Sequence, residues 1–147
     1  MYYTPWALFL WGACWASFFN VVLYRYPIGR SVVRPGSACP RCKNVIKFYD
    51  NIPILSWLIL RGKCRNCSLA IPIRYLLVEA AGGCLWLIGW FVYPQNPLRG
   101  FWLGSTLGLA VALLTCLVRF KRAPWYLWLV NIFLWAVGLV KILLTKP

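Results

Sequence analysis

The residues best placed to do chemistry in this chain are four cysteines in two short pairs. Cys39-Pro40-Arg41-Cys42 and Cys64-Arg65-Asn66-Cys67 are separated by 21 residues. Two intervening residues let both thiolates of a pair turn toward one point. A second pair completes a tetrahedron, which is the geometry of a zinc site. Arg41, Lys43, Lys63 and Arg65 flank the sulfurs, and nearby positive charge favours the thiolate. Four protein ligands leave no open coordination position, so the zinc expected here is structural rather than catalytic. Two redox-active pairs are the rival reading of the same spacing. Cys14, Cys84 and Cys116 fall singly in apolar runs, where a free thiol packs as a small apolar group.

The rest of the chemistry is narrowly bounded. The chain has no histidine, and its only carboxylates are Asp50 and Glu79. That excludes Ser/His and Cys/His nucleophilic pairs and any histidine metal ligand. Glu79 interrupts an apolar run, and an ionisable residue in such a run is a functional candidate. The plainer reading is that Glu79 pairs with Arg74 or another local cation and positions its helix. Asn20, also inside an apolar run, would hydrogen-bond across helices or line a pocket.

These residues are positioned by long apolar segments. The hydrophobic fraction is 62% and only 12% of the 147 residues are charged, against about 45–50% apolar and about 25% charged for soluble domains. Ten tryptophans and eight tyrosines suit rings that line both bilayer interfaces. Trp6 to Tyr24, Leu76 to Tyr93, Phe101 to Val118 and Trp125 to Leu144 read as four spans, the last holding Asn131 and Lys141. At about 1.5 Å per residue each approaches or exceeds the ~30 Å hydrocarbon thickness. The first run lacks a basic lead-in and a small-residue cleavage site, so it reads as a retained span. Pro94-Gln95-Asn96-Pro97 is a turn. No internal repeat is evident.

Sixteen Lys and Arg face two acidic residues, a net charge of +14. Ten of the basic residues lie in Arg25–Arg74 and three more in Arg119–Arg122. Four spans put both segments on one side of the membrane, which the positive-inside rule makes the cytoplasm. The charge therefore points to anionic lipid headgroups rather than nucleic acid, and a cytoplasmic location disfavours disulfides. Between the cysteine pairs, Asn51 to Gly62 is too short to span and too apolar for a solvated loop. It reads as an interfacial helix from Pro53 to Gly62 on the cytoplasmic face, with burial against the knuckle as the alternative. The expected fold class is an all-α integral membrane protein of about four transmembrane helices, with a cytoplasmic four-cysteine knuckle and an interfacial helix between the first and second.

Several segments together resemble the amino-terminal module of the bifunctional type IV prepilin peptidases. These are membrane enzymes that cleave the leader of pilin-like precursors and N-methylate the new amino terminus. The family's G-S-F-L-N-V…Y-R-x-P pattern is matched by Ser17-Phe18-Phe19-Asn20-Val21 and Tyr24-Arg25-Tyr26-Pro27. Its N-I-P-x-L-S-x-L-x-L-R-G pattern is matched by Asn51 to Gly62, and its R-Y-P-L-V-E pattern by Arg74-Tyr75-Leu76-Leu77-Val78-Glu79. Order and spacing agree over residues 16–83, with Ala16 and Leu76 departing from the family glycine and proline. The resemblance divides the chain into a prepilin-peptidase-like module, 1–93, and a two-span hairpin, 94–147. It places the protein in a bacterial inner membrane.

The peptidase half of that family uses two aspartates that share a proton and activate water. This chain has no Asp or Glu after Glu79, and Leu117–Trp125 carries Arg119, Lys121 and Arg122. By itself the chain is not expected to cleave peptides. Three functions follow from the resemblance. One is a non-catalytic subunit or scaffold that holds a pilin-like or other single-span helix within a membrane assembly, and this is the favoured reading. A second is an S-adenosylmethionine-dependent N-methyltransferase of processed pilin-like amino termini, with Glu79 orienting the ammonium or accepting its proton. The third is one half of a split peptidase. Asn20 would line the same pocket, while Tyr24, Arg25, Arg61 and Arg74 would meet at the cytoplasmic interface and hold a substrate carboxylate or lipid headgroups.

Overall fold

In the computed structural model, which describes residues 4–144, the described chain is helical, and its only β pairing is two isolated bridges. Five α-helices follow one another: α1 Thr4–Arg25, α2 Leu55–Ile59, α3 Arg74–Val92, α4 Pro97–Phe120 and α5 Trp125–Leu144. Short 3-10 turns occupy Tyr26–Ile28 and Phe48–Asn51. Among the described residues, α1, α3 and α4 are long and apolar enough to cross a membrane, and α5 carries an apolar stretch over Leu127–Val137. The fold is that of an all-α membrane protein. The side chains of Asn131 and Lys141 lie outside the described set.

Residues Ala13–Gly83 make one compact unit, and the chain on either side of it makes a second. Helix boundaries in the second unit follow local chemistry. Pro97 sits in the first turn of α4, where its missing N–H costs nothing, and Asn96 Oδ1 accepts the Arg99 N–H at 3.1 Å as its cap. Lys121 ends α4 in the left-handed conformation, its N–H returning to Leu117 O at 2.9 Å. Trp86 of α3, 2% exposed, lies against Gly104 of α4, where a Cβ would fall 2.8 Å from the indole Cγ. At Gly89 a Cβ would run into the Gly100 carbonyl oxygen. With lipid tails as apolar as the side chains, this close backbone approach is what holds two spans together.

The segment between α1 and α3 is almost without a core. From Tyr26 to Ile73 only Cys39, Ser56 and Gly62 are buried. Its helix, α2, is five residues long, where the sequence suggests ten. Ile54, just before it, has φ 67° and ψ −56°, and Leu55 N–H bonds to Pro53 O at 2.7 Å, a tight γ-turn that is rare and strained. Arg61 and Gly62, both at positive φ, end the segment. The two faces of α2 also differ. Leu55, Leu58 and Ile59 are exposed, while the Trp57 indole packs over Gly62 and donates to Ile71 O at 3.2 Å. Half of the apolar pattern is thus spent locally, against the second cysteine pair's strand of chain, and the other half faces outward.

Replacing Gly89 with leucine is expected to force α3 and α4 apart and to destabilise the detergent-solubilised protein by at least ~1–3 kcal/mol. A melting curve read by tryptophan fluorescence would check this, with a surface variant such as Val118→Leu unchanged.

Candidate metal centre

The four cysteines that the sequence singles out meet. The Sγ atoms of Cys39, Cys42, Cys64 and Cys67 all lie within 4.8 Å of one another. Cys39 and Cys67 Sγ are 3.7 Å apart. A tetrahedral four-thiolate zinc, with bonds of ~2.3 Å, has edges of about 3.8 Å, so the set fits such an ion. No other group of three or more potential ligands occurs among the described residues.

Each pair is presented by the same small fold. Cys39 N–H bonds to Asn44 O and Lys43 N–H returns to Cys39 O; Cys64 N–H bonds to Leu69 O and Ser68 N–H returns to Cys64 O. A bridge closes each loop, Ala38 with Val45 and Lys63 with Ala70. Lys43 and Ser68, each four residues after the first cysteine, both take positive φ. The knuckle is therefore a structural repeat of two turns, hidden in the sequence because within each bridged loop only the cysteines keep their identity.

Backbone amides tune the sulfurs. A hydrogen bond from Asn44 N–H leads the effects that bring the Cys42 thiol down to about 6. Backbone donors at Cys67 and Asn66 lower Cys64 as well. Cys67 receives the Leu69 N–H, but burial and the hydrogen bonds with Cys39, Cys42 and Cys64 push it up to about 11. Four thiolates confined to this volume repel one another unless a cation neutralises them.

The central loop is braced twice, once to the knuckle and once within itself. Asp50 accepts from Arg65 Nε and Nη2, the shortest contact being 2.6 Å. The guanidinium holds the Asp50 carboxyl below the usual carboxylate range. Ser56 Oγ donates to Tyr49 O at 3.0 Å.

Glu79 is buried and its Oε2 accepts the N–H of Ile54 at 2.8 Å. It makes no ion pair with Arg74 among the described residues; Arg74 lies over the Tyr75 ring at 5.2 Å. The carboxylate thus satisfies the one amide that the γ-turn turns inward. Residue spacing gives no sign of this, because the partner is a backbone group 25 residues away. The clue in the sequence is that both segments belong to the patterns shared with the prepilin peptidases.

The remaining candidates separate. Arg25 is half-buried and donates to Ser31 O at 3.1 Å and Gly36 O at 3.2 Å, tying the loop after α1 to the helix end. It lines an open cleft of about 320 Å³, as do Ser17, Phe18, Val21, Asn51 and Pro53. Tyr24, Arg61 and Arg74 are exposed and do not line that cleft. Asn20 Nδ2 is buried without a hydrogen-bond partner among the described residues.

A membrane protein of three or more spans that carries a paired-turn knuckle between its first two is a narrow class. The Bacterial Peptidase A24 N-terminal domain matches residues 10–93, more than half of the chain, and the chain belongs to that family. It is 51% identical over 88 residues to the prepilin leader peptidase/N-methyltransferase of Myxococcus xanthus, covering 56% of this chain and 26% of that protein. The Klebsiella pneumoniae protein of the same name is 42% identical over 100 residues, 63% of this chain and 44% of the relative. For that of Dickeya chrysanthemi the figures are 34% over 142 residues, 80% and 50%. The chain thus spans between a quarter and a half of the length of these relatives. No solved structure matches it.

Two substitutions separate the roles of Glu79. Glu79→Ala leaves the Ile54 amide without its acceptor, at a cost of about 1–3 kcal/mol, and amide exchange over 54–59 should rise. Glu79→Gln keeps an acceptor oxygen and should leave exchange near that of the parent. Equal exchange in all three proteins would show that the hydrogen bond does not hold the turn. For the knuckle, Cys64→Ser is expected to lose bound metal and to make the 26–73 segment as protease-sensitive as chelator-treated parent.

Proposed function

We propose that this chain is a non-cleaving membrane module of the prepilin peptidase family, which holds a pilin-like or other single-span helix within a larger membrane assembly. The observation that carries the reading is the state of its carboxylates. Asp50 is bound by Arg65 and Glu79 by the Ile54 amide, and the stretch after Glu79 contains no Asp or Glu. A proton-sharing pair that activates water has no members here. The zinc is structural, clipping the cytoplasmic knuckle, and the protein resides in a bacterial inner membrane with that knuckle inside. Basic residues concentrated in 25–74 support this orientation, as does a four-thiolate site that survives best in a reducing compartment.

A second reading is N-methylation of a processed amino terminus with S-adenosylmethionine as donor. The name N-methyltransferase belongs to relatives that match this part of the chain. Methylating an amine needs its neutral form and good positioning rather than a strong base, so a Glu79 engaged with Ile54 is compatible with it. A split peptidase, with a second chain supplying the aspartates, is a variant of the assembly reading.

Purification in mild detergent should yield about one zinc per chain by elemental analysis and a stoichiometric single-span or pilin-like protein by mass spectrometry. Incubation with labelled S-adenosylmethionine and a mature pilin-like amino terminus should give no methylated product. Turnover there, abolished by removing the acceptor amine, would overturn the scaffold reading in favour of the methyltransferase. Zinc-free protein with an intact knuckle would remove the structural metal from both.

A further inference from the structure

The cleft beside the cytoplasmic end of α1 separates Arg25 from the other basic candidates and gives it apolar neighbours. One wall is a single helical stripe, Cys14, Ser17, Phe18, Val21 and Arg25, and the other is Val32, Val33 and Pro35–Ser37 of the following loop with Asn51 and Pro53. All of it lies within one compact unit. Its volume, about 320 Å³, is at the small end of the ~300–1,000 Å³ of ligand pockets. Much apolar surface there is uncovered, with Phe18 43% and Val33 76% exposed.

Arg25 is the one charged residue in the lining. Two of its five N–H donors go to neutral carbonyls, Ser31 O and Gly36 O. No carboxylate in the chain is left to neutralise it, since Asp50 is taken by Arg65 and Glu79 by Ile54. A half-buried guanidinium with no carboxylate beside it calls for an anion, and its planar fork suits phosphate. The rest of the cleft says what the anion is attached to. From Arg25, the last residue of α1, to Cys14 is eleven residues, about 16 Å along the helix. One leaflet of a ~30 Å hydrocarbon core is about 15 Å deep. A cationic mouth at the helix end and a partly apolar cleft lined by residues spread over about 16 Å of helix match a lipid, where a small soluble anion would leave the apolar part empty.

We propose that this cleft binds one anionic phospholipid from the surrounding leaflet, its phosphate on Arg25 and one acyl chain along Val21, Phe18 and Cys14. This goes beyond the scaffold and methyltransferase readings, and stands or falls separately from them. The test is native mass spectrometry of the full, zinc-loaded chain from mild detergent with added phosphatidylglycerol or phosphatidylcholine. One phosphatidylglycerol should be retained per chain, preferred by about fivefold, the worth of one arginine at an anionic surface. Arg25→Gln should abolish the preference. Because Arg25 also ties down the loop, Val33→Asp serves as the second variant: an exposed residue of the lining is given a carboxylate that competes for the guanidinium. It should also abolish the preference while zinc content is unchanged. Equal retention of the two lipids, or an undiminished preference in Val33→Asp, would overturn the proposal. So would displacement of the lipid by S-adenosylmethionine or by a single-span peptide, either of which would assign the cleft to that ligand.

Discussion

Four sulfurs drawn to within 4.8 Å of one another sit at the centre of a segment with almost no core of its own. Between Tyr26 and Ile73 three residues are buried, and one of them is the metal-ligating candidate Cys39. Segments of this size rarely gather enough apolar burial to offset the entropy of ordering the chain. A metal clip would remove much of that cost at once, and the two turns that present the sulfurs suit one: backbone amides already bond to the sulfurs of Cys42, Cys64 and Cys67. Two further contacts tie the central loop to the second pair and the chain after it. Arg65, inside the second pair, reaches Asp50; Trp57 reaches the chain that follows that pair.

The second constraint is Glu79. A carboxylate in an apolar helix invites a catalytic reading, but here it caps the amide of a strained turn at Ile54. The strain of such a turn is on the order of 1–3 kcal/mol, comparable to the value of the buried hydrogen bond that opposes it. Helix α3 and the central loop are coupled through this one contact. Asn51 and Pro53, on the N-terminal side of the turn, form part of the wall of the cleft at Arg25. The position of the turn therefore shapes the cleft, and Glu79 acts on it at one remove.

Much of the architecture was legible beforehand because it rests on local rules. Apolar runs one bilayer long become helices, since backbone groups in lipid have no other partners. Asn96-Pro97 starts a helix by capping and fixed φ. C-x2-C pairs converge because two residues are what a tight turn around a metal requires. The expected spans 6–24, 76–93 and 101–118 fall inside or within a residue of the observed α1, α3 and α4. The ten-residue interfacial helix was not legible. The turn at Ile54 and the positive φ of Arg61 and Gly62 cut it to five residues, and the structure turns Trp57 in over Gly62 while Leu55, Leu58 and Ile59 stay outside.

The amino-acid sequence by itself determined the solvent this protein lives in, the convergence of its two cysteine pairs and its kinship. Those depend on composition and short spacings that survive any packing. Tertiary structure alone decided what the charged groups do. Which cation meets Asp50, that Glu79 meets a backbone amide rather than Arg74, and which carbonyls Arg25 ties down are contacts between residues 6 to 25 positions apart. Only the folded path of the chain brings such groups to hydrogen-bonding distance, because electrostatic partners are chosen by proximity and desolvation, not by order along the chain.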